Sequence, residues 1–307
     1  MSRDHLRLGT RASPLALAQS GQTARALEAR HDGLTVELVP ISTKGDRFQG
    51  DLAALGGKGL FTEELEQGLL SGEIDFAVHS LKDLPVKLPA GLHVAAYPER
   101  ADPRDVLVSE VASSIAELPA GAVVLTGSLR RQAQIRARRP DLVVEGLRGN
   151  VDTRLRKWRE RRAGGVILAA AGLARLGISG IPAHPLDPAE MLPAPGQGIL
   201  ALEARAGSSA DVYCRALAHP PSARAAEAER AVVAAFGGDC TLPLAAWARD
   251  ASENQGALRL SALLALPDGS RLARGEAAGD DPQAVAEECV RRLREDGADA
   301  VRAALAR

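Results

Sequence analysis

Apolar and polar positions follow two periods along most of the chain. Leu6–Thr10 and Leu34–Ile41 are apolar runs of strand length, and between them Leu15, Ala18, Ala24 and Leu27 recur near the helical period. Ser13-Pro14 opens that helix, with serine as N-cap and proline at the first helical position, and the helix is expected to run to about Arg30. A helix over Thr62–Leu70 and strands over Ile74–Val78 and Leu92–Tyr97 follow. The rhythm then restarts with a strand at Asp105–Val108. Ser114–Glu117 fits a capping box opening a helix. Strands at Ala122–Thr126, Leu142–Glu145 and Val166–Ala170 enclose helices at Ser128–Arg139, stopped by Pro140, and at about Asp152–Arg162. Strands alternating with helices predict α/β units with mainly parallel sheets.

Near Leu192-Pro193-Ala194-Pro195-Gly196-Gln197-Gly198 the composition turns to proline and glycine. One more strand, Ile199–Glu203, and a strongly helical run, Ser222–Ala235, come next. The last section predicts strands at about Leu242–Ala248, Leu258–Ala265 and Arg271–Glu276, with a Pro267–Ser270 turn before the third. A helix from about Pro282 to Glu295 closes the chain. This section reads as α+β with an antiparallel sheet. Pro98–Pro103 and Pro193–Gly198 read as paired hinges. No internal repeat or low-complexity tract interrupts the pattern.

Composition narrows the function classes. With 307 residues, 46% of them hydrophobic, the chain can build two or three cores. A net charge of -1 and only 3% aromatic residues argue against nucleic acid as the partner. The N-terminus carries no apolar targeting segment and no apolar run is long enough to span a bilayer, so a cytoplasmic protein without membrane contact is expected. Cys214, Cys240 and Cys289 lie far apart and no C-x-x-C occurs, while the six histidines lack ligand spacing. No metal site is expected.

The near-neutral total hides a local imbalance. Between Arg130 and Arg162 there are twelve Lys/Arg against four Asp/Glu. Arg11, Arg130, Arg131, Arg148 and Arg154 all fall at predicted strand-to-helix turns, where helix dipoles already favour anions. A cation there opposes the dipole unless an anion is also bound. Arginine suits planar carboxylates, at roughly 1.5–3 kcal/mol per charged hydrogen bond. Arg156, Lys157, Arg159, Arg161 and Arg162 read instead as a solvated face. Gly56-Gly57-Lys58-Gly59 lacks the Ser/Thr of a Walker A loop.

Two further residues stand out. Asp83, in Lys82-Asp83-Leu84-Pro85 after an apolar strand, is either a turn former or an ionised carboxylate able to stabilise a cation. Cys240 lies in Phe236-Gly237-Gly238-Asp239-Cys240-Thr241-Leu242-Pro243, a loop-like setting unusual for a structural thiol. It could be a small hydrophobe, a nucleophile, a metal ligand or an attachment point.

RASPLAL (Arg11–Leu17), GGKGLFTEELE (Gly56–Glu66), AVHSLKDLP (Ala77–Pro85), SLRRQAQ (Ser128–Gln134), LRGNVDTRL (Leu147–Leu155), AAGLARLG (Ala170–Gly177), LPAPGQG (Leu192–Gly198) and GGDCTLP occur in this order. Together they closely resemble the porphobilinogen deaminase, or hydroxymethylbilane synthase, family over nearly the whole chain. The resemblance implies a transferase that joins four porphobilinogen molecules head to tail, releasing ammonia each time, in tetrapyrrole biosynthesis. It implies a dipyrromethane cofactor held by a thioether to Cys240. Asp83 falls at the family's catalytic aspartate. Arg11, Ser13, Lys58, Ser80, Lys82, Thr126, Ser128, Arg130, Arg131, Arg148, Gly149, Arg154, Arg175 and Gln197 fall at cofactor- and substrate-binding positions.

The implied fold class is α/β. Two periplasmic-binding-protein-like α/β domains with a hinged cleft (1–98 plus 198–217, and 99–197) precede a smaller C-terminal α+β domain (218–307) that carries the cysteine. The family tends to be monomeric. Four positions depart from its usual pattern: Leu125 for glycine, Gly127 for serine, Ala54 for lysine and Asp239 for glycine. A non-catalytic module binding polycarboxylates through the same arginines is the alternative.

Overall fold

In chain order the elements are β1 His5–Arg11, α1 Pro14–Glu28, β2 Thr35–Ile41, α2 Lys44–Arg47, α3 Glu63–Ser71, β3 Phe76–Ser80, β4 Leu92–Ala96, β5 Asp105–Val108, β6 Val123–Leu125, α4 Leu129–Arg138, β7 Val143–Glu145 and α5 Val151–Arg161. They continue with β8 Gly165–Ala169, α6 Ala170–Arg175, β9 Ala183–Pro185, β10 Leu200–Arg205, α7 Ser209–Arg215, α8 Pro220–Ala235, β11 Leu244–Asp250, β12 Leu258–Ala265, β13 Leu272–Gly279, α9 Pro282–Glu295 and α10 Ala298–Leu305. This computed structural model describes residues 4–47, 61–237, 242–251 and 256–306. The chain divides into two compact units. One is Met1–Ala101 with Ile199–Ala223; the other is Asp102–Gly198 with Arg224–Gly237 and Thr241–Arg307.

The first unit is built on a five-stranded sheet of order β2-β1-β3-β10-β4. β1 pairs in parallel with β2 and β3, whereas β10 runs antiparallel to β3 and β4. α1 starts where the sequence predicts: Ser13 Oγ accepts the Ala16 N–H at 3.3 Å and Pro14 occupies the first turn. Its Ala24 and Leu27 pack with Leu6, Leu8, Phe76, Val78 and Leu202 on one face of the sheet. Each fully buried leucine there contributes about 1.5–3 kcal/mol. On another core cluster, Leu65 and Leu69 of α3 pack against Ile74 and Ala77.

The second unit repeats this pairing pattern in the order β7-β6-β8-β5-β9. β6 is parallel to β7 and β8, and β5 is antiparallel to β8 and β9. α5 and α6 contribute Leu155, Trp158 and Leu173 to one core cluster; α4 contributes Ile135 to another, with Leu107 and Val124. The same unit contains a three-stranded antiparallel sheet, β11-β12-β13, against which α9 packs. Ala133 of α4 meets Ala245, Leu263 and Ala265 of that sheet in a small shared core.

Three expectations need correction. Both five-stranded sheets are mixed rather than mainly parallel, because each admits one strand, β10 or β5, in the reverse direction. That strand is last in chain order in the first sheet and first in the second, which hides the common pattern from a linear search for repeats. Ser114–Glu117 forms a turn instead of a helix. The Glu117 N–H does reach Ser114 Oγ at 3.3 Å, but Pro119 keeps Leu118 out of helical geometry, and Ile115 and Leu118 enter the core. Finally, α9 does not close the chain, since α10 follows it; α2, α6, α7 and β9 are also additional to the predicted elements.

Candidate functional site

In open α/β sheets ligands bind beyond the carboxyl ends of the parallel strands. In the first unit β1 and β3 are parallel, so Arg11 and Ser80 end their strands on the same edge. The Arg11 guanidinium stacks on the Phe61 ring at 4.1 Å. Ser80 Oγ accepts from Gln19 Nε2 at 3.0 Å, which ties the end of β3 to α1. A single 3-10 turn, Leu81–Asp83, follows directly. Its fixed points are buried: Leu81 and Leu84 are 2% and 6% exposed, the Leu81 N–H donates to Ile199 O at 3.0 Å, and the Leu84 N–H closes on Leu81 O at 3.1 Å. Leu84 is extended before Pro85. With leucines anchoring the turn from both sides, Lys82 is left half-buried and Asp83 exposed. Arg11, Ser13, Ser80, Lys82 and Asp83 thus share one edge of one unit.

In the second unit the carboxyl ends of β6, β7 and β8 again share an edge. Thr126 follows β6, its N–H bonded to Glu145 O at 2.9 Å and its Oγ1 accepting the Ser128 N–H at 3.2 Å. Ser128 is the N-cap of α4, although its side chain makes no capping bond. Arg130 and Arg131, in the first turn of α4, are only 3% and 5% exposed. Arg130 Nη2 lies 2.8 Å from Asp105 Oδ2, and Arg131 Nη2 donates to Asp105 Oδ1 at 2.7 Å. Arg130 also donates to Leu192 O at 2.6 Å and Arg131 to Ile167 O at 2.9 Å. Asp105 reaches this edge because β5 runs backwards: its first residue is in register with Ala169, the last of β8. Burial alone would raise the Asp105 carboxyl. The charges of Arg130 and Arg131, with hydrogen bonds from Arg131 and Gln197, outweigh it and hold the group well below the usual carboxylate range.

Gln197 Nε2 completes the network, donating to Asp105 Oδ1 at 2.8 Å and to Pro103 O at 2.7 Å. Arg175, at the end of α6, donates to Gly198 O at 2.7 Å, and burial pulls its guanidinium down to about 10. Beyond β7, Arg148 is exposed and its carbonyl accepts from Lys157 Nζ at 3.1 Å. Arg154 Nε donates to Gly149 O at 2.8 Å. Gly149 has a φ of +116°, and a Cβ there would stand 2.6 Å from Thr153 Cγ2, so the turn into α5 demands glycine. Asn150 caps that helix through the Thr153 N–H at 2.9 Å.

Lys58 and Cys240, with Ala54 and Asp239, lie outside the described residues. The other two cysteines are poor attachment points. Cys214 and Cys289 are buried, burial pushes both thiols up to about 12, and Cys289 Sγ is turned to Gly275 O at 3.3 Å. Of the departures from the family pattern, Leu125 is a fully buried core residue. Gly127 is enforced locally, since a Cβ there would lie 2.4 Å from the Leu147 carbonyl oxygen.

The donor set suits a ligand with several carboxylates. In the second unit two buried guanidiniums face a single carboxylate, leaving one positive charge in excess. The Nε atoms of Arg130 and Arg131 are buried without a hydrogen-bond partner among the described residues. No group of three or more metal-ligating side chains occurs among them, and no described helix is long and apolar enough to cross a membrane.

Sequence reasoning missed Gln19, Asp105, His79 and Glu203. Asp105 begins an otherwise apolar strand, DVLV, while His79 and Glu203 interrupt FAVHS and LALEAR. A polar residue inside a strand buried on both faces is the signal that could have found three of them; Gln19, on a helix, gives none.

Comparison with known proteins accounts for this arrangement. The profile described as "Porphobilinogen deaminase, dipyromethane cofactor binding domain" matches residues 6–212, and "Porphobilinogen deaminase, C-terminal domain" matches residues 223–297. The porphobilinogen deaminase of Bordetella parapertussis is 49% identical over 98% of this chain and 96% of its own. That of Syntrophotalea carbinolica is 47% identical, covering 99% and 97%, and that of Roseiflexus castenholzii 45%, covering 97% and 99%. Matched along nearly its whole length, the chain belongs to the porphobilinogen deaminase family.

Proposed function

We propose that the chain is a hydroxymethylbilane synthase, a transferase of tetrapyrrole biosynthesis that condenses four porphobilinogen molecules head to tail. In each condensation the substrate's aminomethyl C–N bond breaks and ammonia leaves with the electron pair. A new C–C bond forms to the α-carbon of the preceding pyrrole, which then loses its proton. The observation that carries this reading is an exposed carboxylate, Asp83, presented by a buried turn on the same sheet edge as Arg11, Ser13, Ser80 and Lys82.

Asp83 accepts hydrogen bonds from pyrrole N–H groups and stabilises the cation that develops as the amine departs. Each ring carries an acetate and a propionate, so Arg11, Lys58, Arg130, Arg131, Arg148, Arg154 and Arg175 bind and orient carboxylates, helped by the hydroxyls of Ser13, Thr126 and Ser128. Gly149 shapes the turn that presents Arg148, and Gln197 holds Asp105 against the arginine pair.

A dipyrromethane cofactor, joined by a thioether to Cys240, supplies the primer on which the chain grows. The inert environments of Cys214 and Cys289 support Cys240 as its anchor. The same reading divides the chain into 1–98 with 198–217, 99–197 and 218–307; the separate family match over 223–297 supports a distinct C-terminal domain. It also has the enzyme acting as a cytoplasmic monomer, which size-exclusion chromatography checks for the oligomeric state. The test of the catalytic assignment is Asp83→Asn. Product formation should fall by about 10² or more, as for loss of a charge-stabilising group, while the protein stays folded by circular dichroism. Turnover near the wild-type rate would overturn the assignment of Asp83 as the catalytic carboxylate.

A further inference from the structure

The first unit holds a buried ionisable pair that the reaction above does not use. His79 Nε2 lies 2.9 Å from Glu203 Oε2, and both side chains are shut off from solvent. The strand register explains the meeting. Ala201 is opposite His79 and Glu203 is opposite Ala77, so the two are diagonal neighbours on one face of the β3–β10 ladder. On that face Ala77 packs against Leu65 and Leu69 of α3.

From α3, Glu66 adds a third ionisable group. Its carboxyl is raised, first by burial, and Glu203 and Glu63 add to this against lowering by Thr62 and His79. β1 contributes Arg11, which rests on Phe61. β4 carries His93, 3.1 Å from Asp211 of α7. Among the described residues, neither Glu203 Oε1 nor Glu66 Oε1 has a hydrogen-bond partner. A lone buried carboxylate or imidazolium is strongly disfavoured. Side by side at 2.9 Å, the two compensate each other.

The pair directly precedes the turn that carries Asp83. Past His79 the ladder continues as Ser80 opposite Leu200, and the Leu81 N–H bonds to Ile199 O. We propose that His79 and Glu203 are positioning residues for Asp83. As a charge-compensated unit they pin the end of β3 to β10 and keep an unbalanced buried carboxylate away from the Ser80–Asp83 turn. The proposal rests on the reading of Asp83 as catalytic.

The test compares His79→Gln, Glu203→Gln and the double variant, measuring kcat, KM and the urea midpoint. His79→Gln strands Glu203. Its kcat should drop by about tenfold or more, with KM little changed because neither residue touches substrate. Glu203→Gln should also lose activity. The double variant places two neutral amides face to face and should recover most of the loss in rate and urea midpoint, the non-additivity expected of a coupled pair. If the single variants do not fold, a folded and active double variant supports the pair equally. Single variants with wild-type rates, or a double variant no better than the worse single one, would overturn it. The urea coupling is independent of turnover, so failure of the Asp83 assignment in Asp83→Asn remains distinguishable from failure of the pair.

Discussion

Asp105 shows how one residue sets the electrostatics of the arginine-rich edge. It neutralises one of two buried guanidiniums, and Gln197 donates to the same carboxylate. Its folded-state carboxyl is depressed, so the stability it contributes is fully present above the unfolded value, about 3.9, and is lost as pH falls toward the folded one. Asp105→Asn should therefore cost about 3–5 kcal/mol at neutral pH, the usual penalty for stranding a buried charge. It should also flatten the acid limb of stability against pH. Urea titrations between neutral and acidic pH check both, and an unchanged neutral-pH midpoint would contradict the network. The sequence did mark Arg130 and Arg131 as cations at a helix start, where they oppose the dipole. It did not show that a protein carboxylate offsets part of that cost. Asp105 lies 25 residues upstream of Arg130 and meets it only because β5 is antiparallel to β8.

Elements with a strong period and a clear cap were legible. Ser13-Pro14 before α1 and Asp105–Val108 as β5 stand where the pattern puts them. What failed was context of another kind. Ser114–Glu117 has a capping box, but the proline at 119 prevents the helix that the box normally opens. In the two five-stranded sheets strand direction was illegible because periodicity carries no sign, whereas the Pro267–Ser270 turn marked the last sheet as antiparallel, as β11, β12 and β13 are. The β6–α4 connection gives the sharpest element-scale prediction. Gly127 stands where relatives of the family often carry serine, yet here a Cβ would press on the Leu147 carbonyl. Gly127→Ser should lower stability by about 1–3 kcal/mol, the range for an overpacked site, read as a lower urea midpoint. An unchanged midpoint would show that the β6 and β7 ends yield without cost.

For the whole molecule, two sheets of one pairing pattern each present cations at the carboxyl ends of their parallel strands, in a chain whose net charge is only -1. The second stretch read as a hinge is held within its own unit. Leu192 exchanges hydrogen bonds with Gln134, Pro193 O accepts from Ala246 N at 3.2 Å, Gly196 N donates to the buried Glu229, and Gln197 binds Pro103 and Asp105. The boundary between the two units falls at its end, between Gly198 and Ile199. The family was legible from motifs spread along the chain, because these record the chemistry of the ligand more than local packing. Cys240 is the motif residue on which the account depends most, and the buried state of Cys214 and Cys289 leaves it as the candidate anchor. Intact-protein mass spectrometry tests this most directly. The account predicts that the active protein exceeds its sequence mass by one dipyrromethane and that Cys240→Ser abolishes the excess; a fully active protein at the bare sequence mass, or a Cys240→Ser variant that keeps the adduct, would contradict it.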